Sequence, residues 1–147
     1  MFWMGDGAVN KQAFDKDWLF HKGAGTALEN MSVNTSEIVS VTLPHDAMIL
    51  NRRQKDLPYG NCVGYFPYET VHYTKTFCTE EAGSTYLEFE GVYMNCTVYI
   101  NNCLAGQHIN GYTPFLLDIS PFVHTGENKL KVIVRNGVPS SRWYSGT

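Results

Sequence analysis

The feature that most restricts this chain is the stretch from Ser84 to Arg135, where apolar and polar residues alternate in short runs separated by turn-forming residues. Thr85, Leu87 and Phe89 alternate with Tyr86, Glu88 and Glu90, the period-2 pattern of a strand with one face in a core and the other in water. After Gly91 the pattern resumes, with Cys96, Val98 and Ile100 against Thr97, Tyr99 and Asn101. Asn101-Asn102 then supplies residues that tolerate the positive φ of a tight hairpin, and the chain returns through Cys103, Leu104 and Ala105. Gly111-Tyr112-Thr113-Pro114 introduces Phe115, Leu117 and Ile119. Gly126-Glu127-Asn128 is read as a turn into Lys129 to Arg135, whose apolar side is Leu130, Val132 and Val134. Strands at this spacing, punctuated by Gly, Asn and Pro, predict an all-β protein, a sandwich or a barrel.

At 147 residues and 44% hydrophobic content, the chain has the size of one domain with a full core, residues 1–147. Its net charge of −3 and scattered basic residues provide no electrostatic footprint for nucleic acid. No apolar run approaches the roughly 18 residues of a membrane-spanning helix, so no membrane partner is expected. The opening Met1-Phe2-Trp3-Met4-Gly5-Asp6 lacks the basic and continuously apolar regions of a secretory signal, which makes a cytoplasmic location the expectation.

The cysteines are Cys62, Cys78, Cys96 and Cys103. A two-residue turn at Asn101-Asn102 sets Ile100 opposite Cys103 and Cys96 opposite Gln107, out of register for a cross-strand disulfide, and all four are read as free thiols. No Cys-x-x-Cys occurs, and the histidines are not at metal-ligand intervals, so no metal or other cofactor is expected.

Before the central region, Phe14 to Phe20 forms an aromatic arm read as packing, and Glu29 to Glu37 reads as a loop. Ile38 to Leu43 reads as a short strand, with Val39, Val41 and Leu43 on one side, ended by Pro44. His45-Asp46-Ala47-Met48 and the polar run Asn51 to Asp56 lead into Leu57 to Pro67, whose prolines, glycines and aromatics suit a long surface loop of the kind that often carries function. Val71 to Phe77 is another strand.

Together and in order, the Phe14–Phe20 arm, Leu43-Pro44-His45-Asp46, Gly64-Tyr65-Phe66-Pro67, Tyr73-Thr74-Lys75-Thr76-Phe77, Phe89-Glu90-Gly91-Val92, Val98-Tyr99-Ile100-Asn101, Gly111-Tyr112-Thr113-Pro114-Phe115 and Ser141-Arg142-Trp143-Tyr144-Ser145-Gly146 closely resemble the N-terminal sugar-binding domain of glycoside hydrolase family 2. That family holds bacterial β-galactosidases, β-glucuronidases and β-mannosidases. The resemblance covers nearly the whole chain and implies an antiparallel jelly-roll β-sandwich of the galactose-binding type, ahead of an immunoglobulin-like domain and a catalytic barrel.

Two departures stand out. Ala47 occupies a position where many members carry Trp. The chain ends at Thr147, where the family continues into a Gly-Ile-Tyr-Arg type strand. The resemblance therefore implies that the last strand is lacking and that the open edge favours self-association.

Retaining glycosidases need two carboxyl groups about 5 to 5.5 Å apart. Glu88 and Glu90 lie on one strand face about 6 to 7 Å apart, but their place on the polar side of the alternation reads as solvated charge, and nothing in the neighbouring sequence marks a pocket. His45-Asp46 fails as an acid–base dyad because adjacent side chains on an extended backbone diverge. No catalytic residue is expected in this chain, since in the family both catalytic glutamates lie on the barrel.

What the resemblance implies instead is contact with the sugar held at the barrel mouth. Asp46 is placed to accept hydroxyl hydrogen bonds, Arg142 and Trp143 offer a planar fork of donors and a broad apolar face, and Asn61 lies where some β-galactosidases place a substrate-contacting Asn. The plainer alternatives are a turn cap for Asp46 and a packing role for Trp143. The expected function is a non-catalytic domain of a retaining exo-β-glycosidase, β-galactosidase first. Its partners would be carbohydrate, the parent's downstream domains and further copies of the parent. A free-standing carbohydrate-binding module and a purely structural scaffold are the alternatives; no clustered Asp or Asn run supports the calcium site common in such modules.

Overall fold

A computed structural model of the chain describes residues 2–5, 10–23, 38–49, 51–57, 64–80 and 83–136. Among the described residues ten strands make up the framework: β1 (Phe2–Gly5), β2 (Asn10–Ala13), β3 (Trp18–Lys22), β4 (Val39–Val41), β5 (Thr70–Thr79), β6 (Tyr86–Phe89), β7 (Asn95–Ile100), β8 (Cys103–Ile109), β9 (Phe115–Asp118) and β10 (Gly126–Arg135). They form two antiparallel sheets, ordered β2-β1-β6-β9 and β4-β3-β5-β10-β7-β8. Among the described residues the helical content is one 3-10 turn, Ser120–Phe122.

The alternation read from the sequence is what holds the layers together. Leu87 and Phe89 from the smaller sheet, with Ile119 just after β9, are buried with Trp18, Val71, Val98, Ile100, Leu130, Val132 and Val134 of the larger one. Ten residues of β10 pair with β5, and six of them also pair with β7, so β10 lies mid-sheet with neighbours on both sides. Each fully buried aliphatic or aromatic side chain contributes about 1.5–3 kcal/mol relative to exposure.

Several expectations are corrected in detail. The aromatic arm packs as expected, and its end, Trp18 to Phe20, also belongs to a strand, β3: Trp18 and Phe20 are in the core while Leu19 is exposed. Glu127 and Asn128 are not turn residues. β10 begins at Gly126, whose φ of 97° suits glycine, and Asn128 is fully buried. Val39 does not share a buried side with Leu43. It lies on edge strand β4, 48% exposed, whereas Leu43 packs on the core.

The hairpin at Asn101-Asn102 forms as expected, with φ of 50° and 68° and Ile100 opposite Cys103. Its register then slips. Val98 pairs with Gly106 and Tyr99 with Leu104, so a bulge at Ala105 sets Cys96 opposite His108 rather than Gln107. The thiols remain apart: Cys78, Cys96 and Cys103 are free, and burial pushes the Cys96 thiol up to about 12. Cys62 lies outside the described residues. The β1–β2 hairpin, which adds two strands to the smaller sheet, is absent from the expectation; Gly5-Asp6-Gly7 was its available turn signal.

Candidate functional site

A cleft of about 230 Å³ opens at one end of the sandwich. Its deep wall is made of core side chains, Trp18 of β3, Tyr73 of β5 and Val132 and Val134 of β10. Its mouth is formed by Asp15, by Leu43-Pro44-His45 after β4, and by Glu90 to Tyr93 after β6, with the buried Phe89 ending that strand behind them.

The chain builds this mouth through local chemistry. The Leu43 N–H donates to the Asp15 carbonyl at 2.8 Å, tying two of the segments together, and Pro44 has no N–H with which to continue β4. Beyond it, Asp46 Oδ1 accepts the Met48 N–H at 2.8 Å, and the Asp46 carbonyl accepts the Ile49 N–H at 3.3 Å, which closes a turn. Buried Ala47 and Met48 pin that turn to the domain, and Asp46 itself is exposed. On the other side, Gly111 lets the Gly111–Pro114 segment come down on Tyr93: a Cβ there would lie 2.1 Å from Tyr93 Cδ2. Tyr93 is buried, with the exposed Tyr112 ring edge-on at 5.5 Å.

His45 and Tyr73 hold the back of the mouth. The imidazole lies 4.6 Å from the Phe20 ring, and Nδ1 shares a 2.9 Å hydrogen bond with the Tyr73 hydroxyl. Burial lowers the His45 pKa, Asp46 partly opposes that shift, and Lys22 reinforces it. Burial raises the Tyr73 hydroxyl, with the Asp46 charge adding to the shift. The imidazole is thus neutral at neutral pH and the phenol stays protonated. His45 and Asp46 have different tasks, as their adjacency on an extended backbone requires.

The two strand carboxylates also separate. Glu88 is half-buried and ion-paired with Lys11 at 2.6 Å on the small sheet. Glu90 lies beyond the strand end, exposed, and lines the cleft. This corrects the expectation that no pocket adjoins this pair: the carboxylate following Phe89 is at a rim because β6 stops there. The carboxylate pair of a retaining glycosidase is not assembled by these two residues.

Of the residues expected to contact sugar, Asp46 is described and follows the mouth-forming His45; Asn61, Arg142 and Trp143 lie outside the described residues. The loop that contains Asn61 is held at its described ends, where the Gln54 N–H donates to the Tyr65 carbonyl at 2.7 Å and the Arg53 guanidinium lies 5.4 Å over the Phe66 ring. Asp15, Tyr73, Glu90 and Tyr93 are cleft residues that sequence reading missed. Only Glu90, the last charge of an alternation before Gly91, carried a signal.

Comparison with known proteins bears on this arrangement. The family model described as the sugar-binding domain of glycosyl hydrolases family 2 matches residues 54–147. The chain is 37% identical over 138 residues to the β-galactosidase BoGH2A of Bacteroides ovatus, covering 90% of this chain and 16% of that protein. It is 35% identical over 137 residues to a putative β-glucuronidase of Formosa agariphila, covering 89% of this chain and 13% of that protein. A solved family 2 glycosyl hydrolase of Bacteroides cellulosilyticus superposes with a TM-score of 0.80 at 33% identity, covering 92% of this chain and 19% of that one. A β-glycosidase of Bacteroides vulgatus gives 0.77 at 30% identity, covering 99% of this chain and 19% of that one. The chain therefore spans less than a fifth of each of these proteins.

Proposed function

Since the chain belongs to the sugar-binding domains of the family 2 glycosyl hydrolases, we propose that it serves as the non-catalytic N-terminal domain of a larger retaining exo-β-glycosidase. Its loops would complete the sugar site of a catalytic barrel supplied by the rest of the parent. β-Galactosidase is the activity favoured, in keeping with the similarity to the Bacteroides ovatus enzyme. Asp46, Asn61, Arg142 and Trp143 are the proposed sugar contacts. A cytoplasmic parent that assembles as a homo-oligomer completes this reading; the free thiols of Cys78, Cys96 and Cys103 support the reducing location.

The observation that carries the proposal is the position of Asp46, an exposed carboxylate on a turn fixed by its own Oδ1 and by two buried neighbours, immediately after the mouth of the cleft. A carboxylate held this way can accept hydroxyl hydrogen bonds with little further ordering.

A scaffold reading is favoured by the same Oδ1···H–N bond, which makes Asp46 a turn cap. One substitution separates the two. Asp46→Asn keeps an oxygen acceptor for the Met48 N–H and removes the charge. In the full-length parent, sugar contact predicts a kcat/KM lower by about ten-fold or more at an unchanged melting temperature. Wild-type kinetics would leave only the scaffold role.

A further inference from the structure

We propose that Lys22 and Glu69 clamp the side-chain amide of Asn51 and through it orient the Asp46 turn, which makes Asn51 a positioning residue for the sugar contact. The sugar contact rests on the reading of Asp46 above, whereas the clamp rests on hydrogen bonds of the fold alone.

The clamp is rooted in the core. β3 ends at Lys22, β10 ends at Arg135 and β5 begins at Thr70, so Lys22, Glu69 and Asn136 meet where three neighbouring strands stop. Asn136 is fully buried and holds the Glu69 backbone twice. The Glu69 N–H donates to Asn136 Oδ1 at 2.9 Å, and the Asn136 N–H donates to the Glu69 carbonyl at 3.3 Å. The Glu69 carboxylate therefore starts from a fixed backbone.

From that root, Glu69 Oε2 lies 3.1 Å from Lys22 Nζ and accepts Asn51 Nδ2 at 2.9 Å. Lys22 Nζ also donates to Asn51 Oδ1, which closes a ring of three side chains. The ring reads the polarity of the amide. Its NH2 end meets the carboxylate and its oxygen meets the ammonium, so turning the amide over would set donor against donor and acceptor against acceptor. The backbone of Asn51 passes this restraint on: its N–H donates to the Met48 carbonyl at 2.9 Å, and the Met48 N–H donates to Asp46 Oδ1 at 2.8 Å. A hydrogen-bonded path thus runs from buried Asn136 to the exposed Asp46 carboxylate.

The magnitudes favour orientation over stability as the result. The side chains of Lys22 and Glu69 are 37% and 21% exposed, and an ion pair that open to water adds little to folding. Two opposite charges on the two ends of one amide still select a single orientation for it.

The test compares Asn51→Ala with Lys11→Met. Asn51→Ala removes the clamped amide but leaves Lys22 and Glu69 paired with each other, so the fold stays in place, as a melting curve verifies. In hydrogen exchange of the chain followed by NMR, the protection of the Met48 and Asn51 amide protons should fall by about five-fold or more, with the β7 and β10 amides unchanged. Lys11→Met breaks an ion pair of similar exposure on the smaller sheet and should leave both amides protected. In the full-length parent, Asn51→Ala should lower kcat/KM several-fold when Asp46 is present and not at all in the Asp46→Asn background, the non-additivity of a residue that acts through another.

Unchanged protection at Met48 and Asn51 overturns the clamp, and so does an equal loss in Lys11→Met, which would make the effect a general loss of stability. A kcat/KM loss that persists in the Asp46→Asn background overturns positioning through Asp46. Failure of the clamp is distinguishable from failure of the sugar contact. Unchanged protection with impaired Asp46→Asn kinetics removes only the clamp, and lost protection with wild-type Asp46→Asn kinetics removes only the contact.

Discussion

The two ends of the sandwich are built on opposite plans. At the end formed by the β7–β8 hairpin and the start of β10, polar side chains spend their hydrogen bonds on one another. Asn128 Nδ2 donates to the His124 carbonyl at 2.7 Å, to the Gly126 carbonyl at 3.0 Å and to Thr79 Oγ1 at 3.1 Å, while its Oδ1 accepts from Asn101 Nδ2 at 2.8 Å and from the His124 N–H at 3.0 Å. Thr79 Oγ1 in turn donates to the His124 carbonyl. Nearby, the Thr85 N–H donates to Ser120 Oγ. At the other end, apolar walls lead out to Asp15, His45 and Glu90 around an open cleft. A closed polar network fixes turns and has little bonding capacity for a ligand. The other end stays open, and Asp46, the described residue proposed to contact sugar, directly follows its mouth.

This contrast makes ordered predictions. The largest effect belongs to the closed end. Asn128→Ala removes five hydrogen bonds from a fully buried position and leaves their partners unsatisfied, so it should destabilise the domain by about 3 kcal/mol, seen in a denaturant melt as a lower midpoint with an unchanged slope. A loss below about 1 kcal/mol would mean the network is not what closes that end.

Next comes the open end. Gly111→Ala drives a methyl group against the Tyr93 ring and should cost about 2 kcal/mol. Because Tyr93 lines the cleft, the same variant should also shift its ring signals, which Asn128→Ala should do far less.

Acid sensitivity is the third test. The stacked rings of His21 and His72 are 4.6 Å apart between β3 and β5, and burial, reinforced by the neighbouring His21, lowers His72 to about 4. The unfolded chain binds this proton below its ordinary pKa of 6.5 while the folded chain does not. Stability should therefore fall as pH drops from 6.5 towards 4, by at most about 1.4 kcal/mol per pH unit. His72→Gln should flatten that part of a stability–pH curve. An unchanged slope would transfer the acid sensitivity to other groups.

The smallest effect is expected at the cleft rim, where Glu90→Gln should change stability by less than about 0.5 kcal/mol in the same melt. A larger change would make Glu90 a structural member of the sandwich.

Much of the framework was legible before the fold. The alternation of Leu87 and Phe89, of Cys96, Val98 and Ile100, and of Leu130, Val132 and Val134 predicted strands with those residues inward, and each is buried. Asn101-Asn102 announced its turn through its tolerance of positive φ. Errors arose where local preference met a tertiary demand. Asn128 has turn chemistry, yet its amide is drawn into the core because five hydrogen bonds converge there, so the strand starts three residues earlier than composition suggests. The bulge at Ala105 has no sequence signature because it is set by the fit of β8 against β7 and of Gly106 against Leu117. The cleft was legible only in part. Asp46 could be named from a motif, but Asp15, Tyr73 and the Glu90–Tyr93 pair come from three separate segments, and no spacing along a chain encodes their meeting.

By itself, the sequence determined the all-β architecture, because side-chain alternation is a local, repeated signal that one face must be buried, and its ordered motifs carried the resemblance to the family. The tertiary structure decided the rest: which end of the sandwich is sealed, which carboxylate is paired with Lys11 and which stands at an open rim. Those outcomes depend on where strands stop relative to one another across the sheets, a distance in space that linear order does not contain.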